Sequence, residues 1–218
     1  MIATALEDPR VRLELLRPEH VEPLLAAATE DRASYGLAPV PADRDGVRAY
    51  VETALADAEA RRAVPYAIVR RGAGPSTDAV VGSVRFMSLE WWTWPRGEVR
   101  VAGEPRRPGL DPPDVAEIGH AWLAASAQRS AVNTATCAMM MHHAFEVWRV
   151  HRLVLKTDAR NERSRAAIAR LGGHFEGVLR AHLPAADGVV RDTAMFSIVQ
   201  AEWPGVRSRL TALREAGS

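Results

Sequence analysis

The stretch "LKTDARNERSRAAIARLGGHFEGVLR", residues 155–180, decides how this chain is read. It begins inside a strand spanning residues 152–157. Residues 162–171 form a helix with Ser164, Ile168 and Leu171 on one face, and Gly172 follows as its C-cap, where a residue without Cβ turns left-handed at least cost. A second strand covers residues 175–183. Strand, helix and strand follow one another with short connections, the order of a mixed α/β domain.

The segment upstream repeats the strand-to-helix step. Residues 115–123, "VAEIGHAWL", read as a strand. "SAQRSAVNTATCAMMMHHAFE", residues 126–146, reads as a polar loop running into a helix over 134–148, with Cys137, Met141, Ala144, Phe145 and Trp148 on one face. A helix start presents unpaired N–H groups and a positive dipole end, which suits a phosphate, and Arg129 adds charge. The loop has no glycine. Alanine keeps the backbone N–H, but an Ala131 forced to positive φ costs about 1 kcal/mol or more.

The rest of the chain supplies a strand at 11–15, a helix from 17 to about 28 with Pro18 in its first turn, a loop at 34–41 and an amphipathic helix at 45–61. Strands at 64–70 and 79–89 flank a turn cluster at 72–78. Residues 90–114 form a long loop with Trp91, Trp92 and Trp94, with a short extra strand expected near Val99. Strands 175–183 and 189–199 are joined by Ala186-Asp187-Gly188, a hairpin signal, and Trp203-Pro204 opens a short terminal helix. The order is strand, two helices, three strands, helix, strand, helix, two strands.

Composition limits the function classes. The 218 residues, 47% hydrophobic and 25% charged, allow one large domain with a sizeable core. A formal net charge of +1 disfavours nucleic-acid and membrane-surface binding. One cysteine, Cys137, rules out an intrachain disulfide and reads as core. No apolar run reaches membrane-spanning length and no leader pattern opens the chain, so a cytoplasmic protein is expected.

Taken together, Thr157-Asp158, Asn161-x-x-Ser164, Ala167 to Gly172 and Glu176-Gly177-x-x-Arg180 resemble the GNAT acyltransferase superfamily, and within it the Rim-type branch that acetylates protein N-termini. "AEIGHAWL" resembles the family's fourth strand, "VNTATCAMMMHHAFE" its acetyl-CoA helix and "RDTAMFSIVQAEWP" its closing strand. The resemblance spans nearly the whole chain, with residues 90–114 as an insertion. It implies a single GNAT domain over residues 1–218: a mixed, mostly antiparallel twisted sheet with splayed central strands and helices on both faces.

The resemblance also implies the site. The pantetheine arm of acetyl-CoA, or of another acyl-CoA such as succinyl-CoA, lies along the fourth strand near Trp122 and Leu123. Arg129, Ser130, Ala131, Val132, Asn133 and Thr134 hold the pyrophosphate, Asn161 bonds the pantetheine, and Ser164 reaches the sulfur. The reaction is attack of a primary amine on the thioester in a ternary complex, with no covalent acyl-enzyme. Proximity supplies most of the rate, and a backbone N–H faces the oxyanion. Glu117 is the candidate base, with His182 and Asp192 on strands that can face the acceptor.

Other residues carry competing readings. Trp91, Trp92, His120 and His182 are candidate acceptor-site residues, for a small-molecule or peptide amine of compact and apolar character. A homodimer contact is the alternative for the tryptophans. His142 and His143 are adjacent on a helix and point apart, so no metal site is expected. Arg160, Arg163 and Arg165 read as solvated helix charges, one of them within reach of the CoA 3′-phosphate. The rival function is a non-catalytic acyl-CoA-binding sensor or interaction module, which needs Asn161 but not Ser164.

Overall fold

The computed structural model describes residues 3–93 and 112–216. Its centre is an eight-stranded sheet in the order β1-β2-β3-β4-β5-β6-β8-β7. The strands are β1 (Leu6–Glu7), β2 (Val11–Leu15), β3 (Val64–Arg70), β4 (Ala79–Glu90), β5 (Val115–Leu123), β6 (Arg152–Asp158), β7 (His174–Pro184) and β8 (Val190–Val199). Every neighbouring pair is antiparallel except β5 and β6. Helices α1 (Val21–Thr29), α2 (Arg44–Glu59), α3 (Ala131–His142), α4 (Glu162–Arg170) and α5 (Trp203–Ala216) cover both sides.

Local chemistry sets the helix boundaries. Asp43 caps α2 by accepting from Gly46 N at 2.8 Å, and Val47, Val51 and Ala54 recur on its buried face. Asn161 caps α4 by accepting from Ser164 N at 3.0 Å, and Gly172 ends it at φ 106. Helix α1 packs on β4 and α2, whereas α3 packs on β2 and α5. Leu13, Tyr66, Phe86, Met140, Met141 and Trp148 are fully buried between these layers, and the rings of Phe86 and Trp148 lie 4.5 Å apart. Met140 and Met141 are core, and Met139, partly buried, packs against that core.

Two irregularities shape the middle of the sheet. The parallel ladder between β5 and β6 runs from Val115↔Arg152 to Ile118↔Leu155 and stops. Yet β5 continues to Leu123 on the β4 ladder and β6 to Asp158 on the β8 ladder. The central strands therefore part, leaving one edge of residues 119–123 without a strand neighbour. In the same place Gly119↔Arg85 and Trp122↔Ser83 bracket three steps on β5 against two on β4, a bulge with His120 at φ 49.

Several elements differ from expectation. β1 is a two-residue strand, too short to show a period. Helix α3 starts three residues early, because Ser130 caps it by accepting from Val132 N at 3.3 Å. It gives way to a π-helical segment, His143–Trp148, closed by Arg149 at φ 56. The left-handed turn before α3 falls on Arg129 (φ 54), while Ala131 is helical, so the strain expected at Ala131 lies two residues earlier. Helix α5 has 14 residues. The strand expected near Val99, and Trp94, lie outside the described residues.

Candidate active site

Three features meet at the parting of β5 and β6. The first is the loop before α3. Among the described residues, the backbone N–H groups of Arg129, Ser130 and Ala131 donate to no protein acceptor. Ser130 Oγ donates to Ala127 O at 2.6 Å, which holds the turn shut, and Val132 and Thr134 bury their side chains beneath it. Asn133 Oδ1 faces Cys137 Sγ at 3.9 Å. Burial pushes the Cys137 thiol up to about 12, so it is inert as a nucleophile.

The second is the edge of β5. Trp122 and Leu123 are buried, and Trp122 meets Tyr35 edge-on at 6.1 Å. Their side chains belong to the core, and what they offer the gap is backbone. Gly82 explains the tight pairing on the other edge: a Cβ there would lie 2.1 Å from Trp122 O. Gln128 donates to Leu123 O and to Ser34 Oγ, both at 3.0 Å.

The third is the start of α4. The Asn161 carbonyl is spent on the helix cap, which leaves its amide N–H₂ as the donor group. Ser164 is half-buried in the first turn. The neighbouring arginines are structural ties. Arg163 donates to Gln128 Oε1 at 3.2 Å and to Ser34 O at 3.0 Å. Arg160 pairs with Asp158 and Asp187 and holds the Asp158 carboxyl below its usual range. Arg165 lies over the Phe175 ring and donates to Ala159 O.

A cavity of about 600 Å³ lies between α2, the far half of β4 and the β5 bulge. Asp57, Arg61, Arg62, Arg85, Trp91 and His120 are among its lining residues. Among the described residues its charged lining is three arginines and one aspartate, set beside apolar Ala60, Ala63, Met87, Leu89 and Trp91. Solvent reaches His120, yet loss of hydration, then the charges of Arg85 and Lys156, push its pKa down to about 4. The ring is neutral at neutral pH.

The other expected site residues are distributed differently. Glu117 is buried in an ion pair with Lys156 and accepts from Ser88 Oγ at 2.8 Å; Ser88 itself lines the cavity. Trp92 turns away: its ring stacks on His151 at 5.5 Å, and its backbone N donates to Asp114 Oδ2 at 2.8 Å. His182 is half-buried on β7 and is not a lining residue of the cavity. Asp192 accepts from Ala181 N at 2.8 Å, tying the β7 bulge. The sequence reading missed Arg85, Asp57 and Tyr50, which α2 and β4 bring together. Among the described residues, no group of His, Cys, Asp or Glu is arranged to hold a metal ion, and no helix is long and apolar enough to cross a membrane.

Splayed parallel strands with a capped helix start on either side of the gap are the frame of an N-acetyltransferase domain. Residues 10–174 match the family described as the acetyltransferase (GNAT) domain, and the chain belongs to that family. It is 33% identical over 90 residues to YdaF of Bacillus subtilis (strain 168), a candidate ribosomal N-acetyltransferase; the match takes in 41% of this chain and spans about half of that relative, 48%. A GCN5-related N-acetyltransferase from Brucella melitensis superposes with a TM-score of 0.76 at 24% identity, over 100% of this chain and 91% of that one. Mycobacterium smegmatis RimJ, solved with a CoA disulfide, superposes with a TM-score of 0.71 at 23% identity, over 96% and 93%.

Proposed function

We propose that the chain transfers an acyl group, acetyl first among the candidates, from acyl-CoA to a primary amine by direct attack. The observation that carries this reading is the parting of β5 and β6 beyond Ile118↔Leu155, with donor groups on both sides of the gap. The residues present fit an acyl-CoA. The unpartnered N–H groups at Arg129–Ala131 suit a pyrophosphate, the open edge of β5 suits an amide-bearing arm, and the Asn161 amide supplies a further donor.

When bound, acyl-CoA supplies an activated acyl group on a thiol leaving group. The β5 backbone near the bulge holds the acyl carbonyl and offers N–H to its oxygen as negative charge develops. Ser164 donates to the departing sulfur. His120, held neutral, accepts a hydrogen bond from the amine, and the proton leaves through water. Glu117, paired with Lys156, acts through the Ser88 side of the cavity as a positioning charge and water-linked proton acceptor. An amine on a protein N-terminus and one on a small molecule both remain within the reading.

The test is thiol release from acetyl-CoA and succinyl-CoA over a panel of amines. Amine-dependent release is the expected result. Tight CoA binding without release for any amine would favour the binding-module reading instead.

A further inference from the structure

Arg85 is a charged side chain only 3% exposed on the wall of the acceptor cavity. Among the described residues its Nε has no hydrogen-bond partner. Its ionic neighbour among the described residues is Asp57, with Nη1 to Oδ2 at 3.8 Å, beyond hydrogen-bond reach. The other oxygen of Asp57 is already engaged by Arg62, through Nε at 3.1 Å and Nη2 at 2.8 Å. The Tyr50 ring lies 4.7 Å from Arg85 Cζ, and Tyr50 is anchored by donating to Ser83 Oγ at 3.0 Å. The guanidinium is thus fixed in orientation and incompletely paired.

A buried cation lacking hydrogen bonds is unfavourable unless something else satisfies it. Among the described residues Arg62 and Arg85 share the one carboxylate of Asp57 in the cavity wall, with Arg62 holding its Oδ1, so the field at Arg85 favours an anion. A planar, pre-oriented guanidinium matches a carboxylate or phosphate. We propose that the acceptor amine carries an anionic group, carboxylate or phosphate, which enters this cavity and is bound by Arg85, leaving the amine beside His120. This rests on the acyltransferase reading above and narrows its substrate class.

The test compares kcat/KM for matched amines that differ only in the anion: β-alanine with its amide, γ-aminobutyrate with its amide, ethanolamine phosphate with ethanolamine, and N-terminal peptides with Asp or Asn as second residue. The anionic member should be favoured about ten-fold or more. In Arg85→Gln that preference should collapse through a raised amine KM, with the KM for acetyl-CoA unmoved. Arg85→Lys, which keeps the charge, should retain part of the preference. The peptide pair and the small-molecule pairs separate the two sources of the anion. Equal use of neutral and anionic members, or a loss in Arg85→Gln that is the same for both, overturns the inference alone. Absence of thiol release with every amine overturns the acyltransferase reading and the inference with it.

Discussion

Lys156 Nζ lies 2.9 Å from Glu117 Oε2, across the point where β5 and β6 separate. Glu117 pairs with Val154 in the last rungs of the parallel ladder, and Lys156 is the first residue of β6 beyond them. The ion pair therefore closes the apex of the cleft. Glu117→Gln leaves the ammonium without its partner and should cost about 3 kcal/mol of stability, read by urea unfolding. The double variant Glu117→Gln/Lys156→Met should regain most of that stability. If turnover stays at least ten-fold down in the double variant, Glu117 acts in the proton path; turnover returning with stability would show its role to be structural.

Asn161 has two separable duties. Asn161→Ala removes the cap on Ser164 N and should cost about 1 kcal/mol, with a raised KM for acetyl-CoA. Asn161→Asp keeps the capping oxygen but not the N–H₂ donor. It should hold stability while raising the same KM. A normal KM in Asn161→Asp would remove the pantetheine contact from the site.

Ser164→Ala should lower kcat by about ten-fold and leave the dissociation constant of CoA nearly unchanged, because its hydroxyl is needed only as sulfur departs. Thioesters with a more acidic leaving thiol should be transferred at nearly the parent rate by the variant. Equal loss with every thioester would contradict a role at the sulfur.

Arg129 sits at φ 54 in the turn before α3. Arg129→Gly should raise stability by about 1 kcal/mol by relieving the left-handed conformation. Acetyl-CoA should bind no more tightly, since one positive charge is lost. Thermal unfolding and CoA titration check the two effects separately.

His143 is buried against Phe86 and Trp148, its Nε2 has no partner, and burial pushes its pKa from 6.5 down to about 4. Between these values the unfolded chain binds the proton and the folded chain does not. Stability therefore falls as pH drops from about 6.5 to about 4, by up to about 3 kcal/mol. His143→Phe should remove the His143 share of this loss and leave the share of His120, whose pKa is lowered over the same window. Glu176, held at about 2 by its hydrogen bonds from Arg152, with Ser197 adding a further one, has a different window. Its stabilisation is complete above 4.5 and is lost as pH falls toward 2, so His143→Phe should leave that lower limb intact.

The features legible in the sequence were the local ones. The Gly172 stop and the Asn161-x-x-Ser164 motif operate within a few residues, so spacing reveals them, whereas the capping role of Asn161 appears only in the structure. The start of α3 was misplaced because Ser130 was read as loop when its hydroxyl is the cap. Trp92 was grouped with Trp91 by adjacency, yet neighbouring residues on an extended chain face opposite ways, and His151 takes the Trp92 ring. Arg85 stands between Val84 and Phe86 on β4, where alternation by itself marks only a polar step. Nothing local says that this arginine is buried, because the α2 residues that enclose it stand some 30 positions away.

By itself, the sequence determined the order of the main elements, the Gly172 stop and the motif set that marks the acyltransferase family. Those depend on backbone propensity, side-chain periodicity and contacts within one turn. The tertiary structure decided where β5 and β6 part, that Glu117 meets Lys156, and that Arg85 is buried beside Asp57 in the cavity wall. These follow from strand register and from desolvation, and both are set by pairing between segments far apart in the chain.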